Sequence, residues 1–382
     1  MSNNIVSRLL SQGIQRVKTG TAGLSLEEAK RKYGLSEIVK LASNENPLGP
    51  SPKAIEAAKK AAEAMNIYPD QSGLQLRSAI AGTHGVAAEQ VLHGNGSSEL
   101  ITFIGQTFLD PGDECVIPQP TYGRYQQITD VVGGRNIFSP LREFRIDLMD
   151  VLGKVTPRTK LIFIANPNNP TGDRLKRAEV ESFLERLDNE HIVIFDEAYA
   201  EYVEEGDFPR TVQYISAGYN VIMLRTFSKA YGMAGSRLGY AISSPEIIEH
   251  LNKARAVFNV NRFSQAAGIE ALNDTDHLAR CRQLIWEEKK YCYEELKKIG
   301  VSYLPTSANF IFVNVGVDDG KLHEAMTRRG VIIRPLTPWG YKGFIRITIG
   351  SHYQNERMVD CLKKSLEEIE GRRAGAACDG GQ

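Results

Sequence analysis

Cysteine is scarce in this sequence and poorly spaced for joint work. The five residues Cys115, Cys281, Cys292, Cys361 and Cys378 lie far apart, are odd in number and show no CxxC spacing. Neither a disulfide framework nor a metal site is expected, and a reducing, cytoplasmic setting fits. An excess of charge is lacking too: Lys plus Arg total 46, as do Asp plus Glu, so the formal net charge is zero. Nucleic-acid binders usually carry a basic excess, so that partner class is not expected. The cluster Lys30, Arg31 and Lys32 has helical spacing and reads as a solvated face. No run of about 18 apolar residues occurs, which argues against a membrane-spanning helix. The opening segment MSNNIVSRLLSQGIQRVKTG has no apolar stretch long enough for a signal peptide.

What is present is an ordinary globular composition, 42% hydrophobic and 24% charged over 382 residues. That length suits one large domain plus a smaller one. Short segments at 114–118, 161–165, 192–196, 221–226 and 238–242 are apolar on both faces and bounded by breakers, as buried parallel strands are. Helical spacing fills 98–108, 122–132, 177–187 and 211–216. The alternation predicts an α/β sheet covered on both sides. A long helix over 276–299 then leads into a second α/β layer. Its strands are expected near 302–304, 310–314, 332–333 and 344–349, and its helices at 321–329 and 354–370. The expected division is an N-terminal arm and small-domain segment at 1–43, a large domain at 44–275, a small domain at 276–370, and a disordered Gly- and Ala-rich tail at 371–382.

Three of the expected strands end in unusual polar residues. LIFIA runs into Asn166-Pro-Asn-Asn-Pro-Thr-Gly172, IVIF into Asp196-Glu-Ala-Tyr199, and VIML into Arg225-Thr-Phe-Ser-Lys-Ala-Tyr-Gly232. One such end reads as a polar loop start. Three together read as a site, because open α/β sheets bind ligands at the carboxyl ends of their strands. Asp196 follows four apolar residues, so its carboxylate needs a cation or hydrogen bonds. A protonated pyridine nitrogen would serve, and so would an ordinary salt bridge. His93-Gly94-Asn95-Gly96-Ser97-Ser98 precedes an apolar helix, where free N–H groups and the helix dipole favour an anion. The same serines also read as plain N-caps. Arg237 closes a Gly-Met-Ala-Gly stretch after Lys229 and can clamp a phosphate bidentately. An anion site, a semi-buried carboxylate and a lysine in one neighbourhood suit Schiff-base chemistry, including that of pyridoxal phosphate.

Eight segments carry a resemblance over nearly the whole chain: SNENPLGPSP at 43–52, YPD at 68–70, LHGNGSSELI at 92–101, PTYGRY at 120–125, NPNNPTG at 166–172, DEAY at 196–199, RTFSKAYGMAGSRLGY at 225–240 and FIRITIG at 344–350. With these the chain resembles the fold type I pyridoxal-phosphate aminotransferases of class I/II, most of all their histidinol-phosphate branch. The resemblance implies a large domain with a mostly parallel seven-stranded sheet between helices, and a smaller C-terminal α/β domain. It implies the cofactor pyridoxal 5'-phosphate, a homodimer, and amino transfer from a small-molecule donor to a 2-oxo acid.

Carried onto matching positions, Lys229 would hold the cofactor as a Schiff base and Asp196 would pair with its pyridine nitrogen. Tyr199 and Asn169 would bond the ring's phenolic oxygen, and Tyr122 would stack on the ring. Ser97, Ser98, Ser228 and Arg237 would bind its phosphate, and Tyr68 would reach the phosphate held by the neighbouring subunit. Asn44 would lie in a loop closing near the substrate, and Arg346 and Arg334 would grip the substrate's anionic group. The bland alternative for Arg334 is a strand-end surface arginine. The chain departs from the pattern at VKTGTAG, 17–23, where the family usually has a Pro-Tyr stretch whose tyrosine helps bind substrate phosphate. Lys18 is the candidate replacement there. RAVFNVN at 255–261 also lacks the usual proline. These departures keep open an aromatic or other specialised biosynthetic aminotransferase, less so a pyridoxal-phosphate decarboxylase or a non-catalytic sensor. Lys229→Ala is expected to abolish both turnover and the Schiff-base absorbance of the bound cofactor; full activity in that variant would refute the assignment.

Overall fold

A computed structural model describes residues 6, 9–17 and 26–379. Lys18, and most of the stretch in which it sits, lies outside the described residues. The strands in chain order are β1 (Val39–Lys40), β2 (Val91–Gly94), β3 (Glu114–Gln119), β4 (Arg135–Pro140), β5 (Thr159–Ala165), β6 (Ile192–Asp196) and β7 (Val221–Thr226). They continue with β8 (Gly239–Ile242), β9 (Ser302–Leu304), β10 (Phe310–Asn314), β11 (Val331–Ile332), β12 (Arg334–Pro335) and β13 (Phe344–Thr348).

Seven of these form one sheet in the order β2-β8-β7-β6-β5-β3-β4. β4, β3, β5, β6 and β7 run parallel, with helices such as Ser97–Phe108 and Arg177–Arg186 in the connections. Apolar side chains alternate to the two faces. Val193 and Phe195 join one core, while Ile194 joins the other with Phe163 and Leu224. Burial on both faces is why these strands read as unbroken apolar runs.

The sequence expectation erred over 238–242. β8 pairs antiparallel with both β7 and β2. A strand buried on both faces looks the same in either direction, so its pattern carries no polarity. β2 and β4 escaped notice for other reasons. β2 is a short run merging with the glycine turn that follows it, and β4 is a half-exposed edge strand.

A second sheet, β12-β13-β10-β9, is antiparallel throughout, and β1 pairs in parallel with β11. The helices Thr275–Ile299, Asp319–Arg328 and His352–Asp379 accompany these strands. The last helix carries helical backbone into the segment expected to be a disordered tail, as a helix already begun adds each further residue at little cost. The core beside the second sheet includes Phe310, Val313 and Ile345 together with Tyr199, Tyr202 and Ala230. Those last three follow β6 and β7, so the carboxyl edge of the large sheet abuts the second sheet.

One glycine controls how closely the loop after β7 packs. Gly232 has φ +68°, and a Cβ there would lie 2.1 Å from the Gly49 carbonyl oxygen. Gly232→Ala should destabilise the protein by about 3 kcal/mol, from left-handed strain plus the clash. Gly153→Ala, with no φ penalty and open space around it, should cost almost nothing. Denaturant unfolding of both variants decides this, and equal midpoints would contradict it.

Candidate active site

The parallel register sets Ala165 of β5 beside Asp196 of β6, and Asp196 beside Leu224 of β7. The three polar strand ends are therefore neighbours. The antiparallel pairing of Thr226 with Gly239, and of Gly239 with Gly94, adds the glycine turn to the same edge. A cavity of about 440 Å³ opens there. Asn44, Ser97, Ser98, Tyr122, Asn169, Asp196, Tyr199, Ser228, Lys229, Arg237, Arg334 and Arg346 all line it.

At its floor Asp196 is 5% exposed. Its Oδ2 accepts a 2.7 Å hydrogen bond from the Tyr125 hydroxyl, and its Oδ1 a 3.2 Å bond from the Ala198 N–H. Burial raises its pKa, opposed first by the Tyr125 bond. A carboxylate held in this way favours a cationic partner. Tyr125 was not singled out from the sequence, although PTYGRY places it three residues after Tyr122.

Lys229 is half-buried, and its Nζ donates to the Ser43 carbonyl at 3.0 Å. Burial, then the positive charge of Arg346, brings its pKa down to about 8. Tyr199 packs edge-on to Phe310. Its hydroxyl accepts from Asn44 Nδ2 at 2.9 Å and from Asn169 Nδ2 at 3.4 Å. Asn44 itself takes φ +57°, a conformation Asn tolerates better than most residues. Its N–H donates to Thr348 Oγ1 at 2.9 Å and its carbonyl accepts from Asn309 Nδ2 at 3.1 Å.

At one end of the cavity the helix Ser97–Phe108 begins after Gly96, whose φ is +74°. A Cβ on Gly96 would meet Arg237 Nη2 at 2.6 Å, and one on Gly239 would meet the Ser97 nitrogen at 2.6 Å. The two glycines thus let Arg237 and the helix N-terminus converge. Arg237 Nη1 donates to Ser228 Oγ at 3.4 Å, and Ser98 Oγ bonds the Tyr122 hydroxyl at 2.9 Å. Free N–H groups, hydroxyls and a guanidinium around one point fit a phosphate.

At the other end Arg334 and Arg346 stand directly opposite each other on β12 and β13. Arg346 is 5% exposed, lies over the Phe310 ring, and donates to Asn169 Oδ1 at 2.6 Å and to the Ala42 carbonyl at 2.7 Å. Its Nε is buried without a partner. Burial lowers its pKa to about 10, so it stays charged near neutrality. Among the described residues, neither arginine nor Arg237 forms an ion pair with a carboxylate. The cavity therefore offers two cationic ends, a basic amine between them and a carboxylate beneath.

Tyr68 is not brought to this cavity. It is 75% exposed and stacks on Phe258 at 4.6 Å, in a separate apolar groove with Met65, Ile67 and Val257. Among the described residues no group of three His, Cys, Asp or Glu side chains is placed to hold a metal ion.

Comparison with known proteins agrees with this geometry. The family model described as aminotransferase class I and II matches residues 36–362. A histidinol-phosphate aminotransferase of Moorella thermoacetica is 42% identical, across 93% of this chain and 92% of the relative. Histidinol-phosphate aminotransferase 1 of Nitrosococcus oceani is 38% identical, across 97% of this chain and all of the relative, 100%. Among solved structures, the histidinol-phosphate aminotransferase of Sinorhizobium meliloti in complex with pyridoxal-5'-phosphate superposes with a TM-score of 0.86 at 27% identity, covering 94% of this chain and 98% of that one. By this match and by its site, the chain belongs to the class I and II aminotransferases.

Proposed function

We propose that this protein is a pyridoxal-phosphate-dependent histidinol-phosphate aminotransferase that acts as a homodimer in the cytoplasm. The observation that carries the donor assignment is the pair Arg334 and Arg346. Like charges directly opposite on adjacent strands are destabilising. A doubly charged phosphate between them offsets that repulsion and takes bidentate hydrogen bonds. Histidinol phosphate has no carboxylate, so both arginines are free for its phosphate. The named activity of the Moorella and Nitrosococcus relatives supports the same donor.

The residues fit the cofactor. Ser97, Ser98, Ser228 and Arg237 would hold its phosphate, Asp196 its pyridine nitrogen, and Tyr199 and Asn169 its ring oxygen, with Tyr122 against the ring face. When bound, pyridoxal phosphate supplies a carbonyl carbon that takes up amines and a ring that accepts the electrons of the broken Cα–H bond. Asp196, whose ionised form the Tyr125 hydroxyl favours against the effect of burial, would hold the ring nitrogen in its protonated form. Lys229 moves the proton from the donor's Cα, and its lowered pKa leaves part of the amine neutral near physiological pH. Asn44 and Asn169 fix the Tyr199 hydroxyl, and Arg346 fixes Asn169. Over the whole reaction the donor's C–NH2 carbon becomes a ketone, and a 2-oxo acid gains the amino group.

The dimer is supported by the exposed apolar groove around Tyr68 and Phe258, which a second copy would cover so that Tyr68 reaches that copy's cavity. Burial of the free thiols of Cys115, Cys281, Cys292 and Cys361 supports the cytoplasm. No described helix is long and apolar enough to cross a membrane.

Mixing the purified enzyme separately with histidinol phosphate, Phe, Tyr, Trp, Asp, Glu and Arg tests the donor. Histidinol phosphate should bleach the cofactor band fastest; inertness of that donor beside a reactive aromatic amino acid would overturn the proposal. Arg334→Gln should raise KM for histidinol phosphate roughly tenfold or more, the size expected for losing a charged hydrogen bond, with a smaller change in kcat.

A further inference from the structure

Trp339 also lines the cavity that holds Lys229, Arg334 and Arg346. It ends the short turn Thr337–Trp339, which leaves β12 directly after Arg334 and Pro335. The turn is held rigidly. Asp319, buried at the start of its helix, accepts from the Thr337 N–H at 2.8 Å, the Gly343 N–H at 3.2 Å and the Thr337 hydroxyl. The Leu336 carbonyl accepts from the Trp339 N–H at 2.9 Å and the Tyr341 N–H at 3.1 Å. Behind the turn, the Tyr341 ring packs against Phe312, Phe344 and Phe144 at 5.2, 5.7 and 5.6 Å. Phe144 reaches this cluster from a loop where it and Glu143 both have positive φ, +66° and +50°. Two successive non-glycine residues in that region show that surrounding contacts hold the loop in place.

The Trp339 indole itself is half-buried and, among the described residues, has no aromatic stacking partner and no side-chain hydrogen bond. A large flat apolar surface thus lines the same cavity as the two arginines, with no aromatic ring stacked on it among the described residues. We propose that Trp339 is a specificity-determining wall of the donor subsite, stacking on the planar ring of a donor whose anionic end lies on Arg334 and Arg346. Because the turn is rigid beforehand, little ordering cost is met on binding. The inference rests on the reading of a donor carrying both a ring and an anion. It predicts selection of such donors over ring-less dicarboxylic ones.

The experiment compares kcat/KM for histidinol phosphate, phenylalanine and glutamate in the holoenzyme, Trp339→Ala and Trp339→Phe. Aromatic pairs contribute beyond their buried area, so Trp339→Ala should lower kcat/KM for whichever ring-bearing donors react roughly tenfold. Glutamate should change by no more than about twofold, and Trp339→Phe should restore most of the loss. As a binding readout, Trp286→Phe leaves Trp339 as the sole tryptophan, since the chain has 2. Ring-bearing donors should alter its fluorescence and glutamate should not. Equal losses for all donors, no recovery with Phe, or unchanged fluorescence would overturn the proposal. If histidinol phosphate is inert while phenylalanine still depends on Trp339, the donor assignment falls and the wall stands. If no ring-bearing donor reacts or changes the fluorescence, both fall.

Discussion

A buried guanidinium without a carboxylate organises this molecule's site. Arg346 sits in β13 opposite Arg334, over the Phe310 ring, with its Nη atoms on Asn169 and the Ala42 carbonyl and its Nε unpartnered. Burying a charge without an opposite charge is costly. The fold accepts that cost at the point where the second sheet meets the carboxyl edge of the first. The same charge acts on two neighbouring groups. It holds Asn169, which bonds the Tyr199 hydroxyl, and it helps depress Lys229.

Asp196 completes the arrangement from the other sheet. It is a buried carboxylate at the floor of a cavity whose charged lining also includes Glu45, Lys229, Arg237, Arg334 and Arg346, and the Tyr125 hydroxyl offsets part of its desolvation. The glycines at 96 and 239 are needed because a helix N-terminus and Arg237 must approach closely. A ligand carrying two anionic ends and a protonatable ring between them matches this pattern of charge, which is why a phosphate-bearing cofactor and the proposed phosphate-bearing donor would fit together.

Much of this was legible in the sequence where local chemistry decides. Four apolar residues ending in Asp196 mark a buried strand with a functional end, and the motif around Lys229 marks the loop after its neighbour. Direction and pairing were less legible. β8 reads like its parallel neighbours because both its faces are buried, and β4 hides because it is a half-exposed edge. The bonds from Asn44 to Tyr199 and from Tyr125 to Asp196 span 155 and 71 residues, so no local pattern shows them. Trp339 carried no signal at all, since a tryptophan in a loop reads as core or surface until the cavity is seen.

The central claim is that burial and Arg346 together set the basicity of Lys229. It is tested most directly by the pH profile of Lys229 acylation in the cofactor-free protein, read by mass spectrometry. Half-maximal reactivity is expected at about 8, with a shift upward toward the ordinary 10.5 in Arg346→Gln, because removing a nearby cation favours the ammonium form. A wild-type Lys229 that titrates near 10.5, or a profile unmoved by Arg346→Gln, would contradict it.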